Sequence, residues 1–214
     1  RHWNLAPANS GLTVLFVKDK LSNARRHLLL VQVRREGDPL LVHEYDCIRK
    51  RLADCPVDVH VRNVVAGDIE PEILRGFDYL VVGGSGDFSV HHPGSLHWVS
   101  QLRQLYDAAL SLALPSFGIC FGHQVLGMHF GAEVRTGPEG AEAGTIEVHL
   151  NAQGKADTVF GSLGLGFGAH TGHSDYVTET PSGLTLLASS DHLETQVFRV
   201  QGAPFYSSQF HPDL

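Results

Sequence analysis

Three side chains of this 214-residue chain could together break an amide: Cys120 near the middle, and His211 and Asp213 at the far end. A free thiol, with a pKa of about 8.5, is mostly protonated at neutral pH, so a cysteine nucleophile needs an imidazole to take its proton. His211 can be that base, later handing a proton to the departing amine. Asp213 can hold the imidazole tautomer, because an i, i+2 spacing across Pro212 on an extended segment puts both side chains on one side. Cys120 sits where the apolar run 112–119 stops and a helical pattern restarts with Val125, Leu126, Met128, His129 and Phe130. Such a strand-to-helix bend lifts a side chain off the sheet edge, and Gly118 and Gly122 remove the Cβ atoms that would crowd it. The first N–H groups of the new helix favour a thiolate and an oxyanion beside it. The plainer reading is a small buried residue following a core strand. The flanking glycines and the polar His123-Gln124 pair argue against it.

A second glycine-rich turn, Gly83-Gly84-Ser85-Gly86, follows the apolar run 77–82. No lysine follows in P-loop spacing and no dinucleotide fingerprint is completed. Beside a cysteine elbow it reads as an oxyanion loop, in which a backbone N–H of Gly84 or Ser85 joins that of Phe121. Paired His91-His92 and the spaced His170 and His173 invite a metal reading. Adjacent histidines rarely converge without a third ligand, and Gly172 between the second pair predicts a turn. No metal is expected.

The elements Cys120-Phe121-Gly122-His123-Gln124, the glycine turn after Phe77, and Gln209-Phe210-His211-Pro212-Asp213, in this order, resemble the class I glutamine amidotransferases. In detail they resemble the stand-alone members similar to the amidotransferase half of GMP synthase, over residues 28–214. The resemblance implies hydrolysis of the γ-amide of L-glutamine through a Cys120 thioester, without cofactor. It implies ammonia delivered to a separate synthetase partner, since no synthetase domain lies in these residues. It assigns Gln124 to the substrate and gives Ser174 and Asp175 the amino-acid end, and Glu142-Ala143-Gly144 matches the family's Glu-x-Gly. The family usually has Glu where this chain has Asp213, one methylene shorter, so a slower reaction is expected. The family's closing helix is expected to be absent after Leu214. A γ-glutamyl hydrolase or peptidase using the same Cys120, and a non-catalytic regulatory module, are the competing readings.

Strands alternating with helical stretches must position these groups. Residues 28–33, 57–61 and 77–82 read as strands, 39–53 and 95–112 as helices, and 145–150 as a later strand. Arg49, Lys50 and Arg51 read as the solvated face of a surface helix. Residues 151–168 read as loop-rich, and 184–188, 195–200 and 205–209 as antiparallel strands delivering His211. The fold class expected is α/β: a flavodoxin-like, open, mostly parallel sheet with helices on both faces, plus a small antiparallel section near the C-terminus. One domain is expected over 27–214, after an N-terminal extension, 1–26, in which 11–17 could add an edge strand.

Composition fits this reading. The formal charge of −7 argues against a surface built to neutralise nucleic-acid phosphates. No stretch has the length to span a bilayer. Three cysteines in no metal spacing suit a reducing, cytoplasmic location better than a disulfide framework.

Overall fold

The computed structural model describes residues 25–214; the expected edge strand at 11–17 lies outside them. A nine-stranded sheet organises the molecule, in the order β2-β1-β3-β4-β11-β10-β9-β6-β7. Its first five strands are β1 (Arg26–Gln32), β2 (Val57–Asn63), β3 (Tyr79–Val82), β4 (Ser116–Ile119) and β11 (Phe205–Ser208). All four pairings among them are parallel. This is the 2-1-3-4-5 order of flavodoxin-like sheets, with β11 in fifth place. The remaining strands, β6 (Glu142–Leu150), β7 (Gly166–His173), β9 (Leu184–Ser190) and β10 (Val197–Val200), pair antiparallel. The antiparallel section is therefore a continuation of the same sheet. A separate two-stranded ribbon joins β5 (Val134–Thr136) and β8 (Asp175–Val177).

The central strands are apolar on both sides because both sides are covered. Leu29 and Val31 face one core with Leu80 and Val82, while Leu28 and Leu30 face the other with Val81, Phe117 and Ile119. The first core is closed by α2 (Leu96–Ser111), which buries Trp98, Leu102, Leu105, Tyr106 and Ala109 at helical spacing, and by α3 (Phe121–His129). The second is closed by α1 (Leu40–Arg51), through Ile48, and by the short α4 (Ala152–Ala156).

Three expectations need correction. Residues 170–173 are not a turn but the end of β7, which pairs with β6 along its whole length and so gains the ladder bonds that its glycines alone would not secure. Arg51 is not merely solvated: its guanidinium donates to the backbone oxygens of Asp213 and Leu214. The 151–168 passage contains α4, capped by the Asn151 side chain accepting from Gly154 N–H at 2.9 Å.

Candidate active site

Cys120 lies at the carboxyl end of β4, the edge of an open α/β sheet where ligands bind. Its φ of +49° is a left-handed value that a non-glycine residue seldom adopts, and it turns the chain sharply from strand into α3. The neighbours show why glycine is required on both sides. A Cβ on Gly118 would stand 2.8 Å from the Gly122 carbonyl, and one on Gly122 would stand 2.6 Å from the Val82 oxygen. The bend is held from beneath, since Cys120 N–H donates to Ser208 O at 2.8 Å and Tyr106 OH to Gly122 O at 2.9 Å.

His211 reaches Cys120 from the chain's other end. It follows β11, whose strand runs parallel beside β4, and its N–H donates to His170 O of β7 at 2.8 Å. Its Nδ1 stands 3.2 Å from Asp213 Oδ1. Burial alone would push this imidazole down, but its hydrogen bonds with the Asp213 carboxylate and the Cys120 sulfur outweigh that and hold it well above its ordinary pKa. Gly84 presses on the pair: a Cβ there would meet His211 Cε1 at 2.8 Å and Cys120 Cβ at 3.5 Å. The nucleophile, the base and its carboxylate thus come together as expected.

The glycine loop is placed differently from one of the two expectations. Gly84 N–H, offered above as an oxyanion donor, points away and donates to Glu44 Oε1 at 3.2 Å. Gly83 O accepts from Gly122 N–H at 3.3 Å. The peptide between Gly83 and Gly84 is therefore committed at both of its polar atoms, and Ser85 and Phe121 remain as the expected donors.

Above Cys120 opens a cleft of about 580 Å³, lined by Ser85, Phe88, Gln124, Thr136, Glu142, His173, Ser174 and Asp175 among others. That volume lies within the range of small-molecule sites. Gln124 is buried one turn into α3, where its Nε2 donates to Asp175 O at 2.8 Å. Asp175 Oδ1 accepts from Thr136 Oγ1 at 2.6 Å, and Asp175 Oδ2 is buried without a hydrogen-bond partner. Ser174 O accepts from Gly137 N–H at 3.1 Å. All the residues expected to contact substrate, apart from Gly84 and Phe121, line this one cleft.

Several contributors escaped the sequence reading. Glu44, 4 % exposed, stands behind the glycine loop; its signal was the i, i+4 stripe Glu44-Ile48-Leu52 on the inward face of α1. Burial raises its pKa, with the Arg34 guanidinium opposing and Asp213 reinforcing the rise. Gln209 directs Nε2 at the Cys120 sulfur, 3.7 Å away. Glu142 accepts from Gln196 Nε2 and Ser190 Oγ, each at 2.5 Å, and faces His173 Nε2 at 3.2 Å. Burial would raise that carboxyl, yet these three partners hold it low. His123, given no role above, is structural: it stacks on Phe198 and its Nδ1 lies 2.9 Å from Ser207 Oγ. Complete burial, aided by His173 nearby, drives its pKa to about 3, so it is neutral. Among the described residues no group of three or more His, Cys, Asp or Glu could hold a metal ion. No helix among them is long and apolar enough to cross a membrane.

Comparison with known proteins agrees with this geometry. The model of the glutamine amidotransferase class-I family matches residues 44–214. The glutamine-hydrolysing subunit of GMP synthase from Sulfurisphaera tokodaii is 31% identical over 143 residues, 67% of this chain and 71% of that protein. Its counterpart from Sulfolobus acidocaldarius is 31% identical over 150 residues, 70% of this chain and 74% of its own. Among solved structures, a glutamine amidotransferase from Thermotoga maritima superposes with a TM-score of 0.72 at 20% identity, covering 89% of this chain and 78% of that one, a likeness of fold. With a family model spanning most of its length and a cysteine elbow facing a histidine and an aspartate, this chain belongs to the class I glutamine amidotransferase family.

Proposed function

We propose that this chain hydrolyses the γ-amide of L-glutamine to glutamate and ammonia, and that a separate synthetase uses the ammonia. The observation that carries the reading is the buried His211 imidazole, bonded on one side to Asp213 and on the other to the sulfur of Cys120. Cys120 sulfur adds to the amide carbon while His211 Nε2 takes the thiol proton. The oxygen of the tetrahedral intermediate faces the N–H groups of Ser85 and Phe121. Collapse breaks the C–N bond, and His211 returns the proton to the leaving ammonia. A water then adds to the thioester with His211 as base, releasing glutamate and the free thiol. Gln124, Ser174 and Asp175 hold the amino-acid end of the substrate. Relatives named as the glutamine-hydrolysing subunit of a GMP synthase support an acceptor enzyme on another chain.

The test is ammonia release from free glutamine compared with release from γ-glutamyl peptides, in the unaltered protein and in Cys120→Ala. Release from glutamine that Cys120→Ala abolishes supports the reading. Release only from the peptides points to a γ-glutamyl hydrolase, and equal rates with and without Cys120 refute a thiol mechanism.

A further inference from the structure

We propose that Glu44 is a positioning residue for the oxyanion loop: from outside the cleft, it fixes the orientation of the Gly83–Gly84 peptide against Cys120 and His211. The inference rests on the amide-hydrolysis reading of the same site. Gly83 and Gly84 form a ribbon with a wall on each side. On the inner side the space a Gly84 Cβ would take belongs to His211 Cε1 and Cys120 Cβ. On the outer side the space a Gly83 Cβ would take is already filled by the Glu44 carboxylate. Two successive glycines are the most pliable backbone available, so the ribbon has no stiffness of its own. What stiffness it has comes from two hydrogen bonds, Gly84 N–H to Glu44 Oε1 and Gly122 N–H to Gly83 O. Only the first is a side-chain contact. Glu44 is itself held, with Gln32 Nε2 donating to its Oε2 at 2.9 Å and Arg34 Nε 3.5 Å away. A carboxylate buried this fully inside a helix, bonded to the backbone of the one loop that touches both nucleophile and base, has a task beyond packing. Holding the Gly83–Gly84 peptide edge-on sets where the next N–H, that of Ser85, meets the developing oxyanion.

The experiment compares Glu44→Ala and Glu44→Gln with the unaltered protein in three measurements. The first is glutamine turnover. The second is alkylation of Cys120 by iodoacetamide, a displacement at a saturated carbon that forms no oxyanion. The third is labelling by a glutamine-like chloroketone, in which addition of sulfur turns the carbonyl oxygen into one. Glu44→Ala should lower kcat and the chloroketone rate roughly 10–100-fold, with KM and the iodoacetamide rate changed by less than about threefold. Glu44→Gln, whose amide oxygen still accepts from Gly84 N–H, should recover most of that loss. Equal falls with both reagents would mean a general structural role and would overturn the proposal. A turnover unchanged or raised in Glu44→Ala would overturn it too. Chloroketone labelling that follows the expected pattern, in a protein that releases no ammonia from glutamine, would count against the glutaminase reading alone and leave Glu44 in its role.

Discussion

At the scale of single residues, the base is held tightly by its environment and loosely by its carboxylate. The His211–Asp213 separation of 3.2 Å is longer than the 2.7–2.9 Å usual for a charge-assisted bond. Asp213 therefore orients more than it activates, and Asp213→Ala should lower kcat by about ten- to a hundredfold, against a loss of at least ~1,000-fold for Cys120→Ala. Ammonia release at saturating glutamine measures both. His123 supplies a separate test on stability. Its folded pKa of about 3 lies below the ordinary 6.5, so the unfolded chain binds a proton that the native state refuses. Its contribution is present above pH 6.5 and is lost progressively as pH falls toward 3, an effect on the order of several kcal/mol. His123→Gln should flatten that acid limb in urea unfolding measured between pH 7 and 3.5. The nucleophile and base could be read from their own spacing and from the glycines around them. Glu44 and Gln209 could not, because a buried carboxylate on a charged helix and a glutamine beside the base gain meaning only from partners 40 and 89 residues away.

At the scale of elements, the elbow between β4 and α3 is a close approach of three backbones, which is why both glycines are obligatory. Gly118→Ala or Gly122→Ala would force backbone atoms apart and should cost roughly 1–3 kcal/mol or more, read as a lower midpoint in urea with activity lost in parallel. Strands β1, β3 and β4 were legible because a strand buried on both faces reads as an unbroken apolar run. Strand β7 was not: Gly166, Gly168 and Gly172 argue locally for a turn, and only the pairing with β6 overrides them. Helix α1 was found where expected but misread in character, since its basic last turn conceals that Arg51 ties the segment carrying Asp213. Arg51→Ala should therefore lower kcat several-fold while the melting temperature moves little, a split visible by assaying both in one preparation.

At the scale of the whole molecule, the order of strands was the part hardest to see in advance. Alternating strands and helices imply a parallel sheet, but no local pattern says that β11, the last strand of the chain, inserts next to β4. That insertion also couples the site to global stability. Because the folded pKa of His211 is raised, the native state binds its proton more firmly than the unfolded chain does. The contribution is fully present below pH 6.5 and is lost as pH rises through the folded value. Urea midpoints should therefore decline above neutrality, and Asp213→Asn, which removes the charge holding that proton, should weaken the decline.

The adjacency of β4 and β11 has one more consequence. Neighbouring strands in any sheet stand about 4.8 Å apart, and here one ends in the nucleophile and the other leads, three residues on, to the base. The working distance of the reaction is thereby a repeat of the backbone lattice. Loops around the rim can be lengthened, recoloured or exchanged for new substrates while sulfur and imidazole keep their spacing.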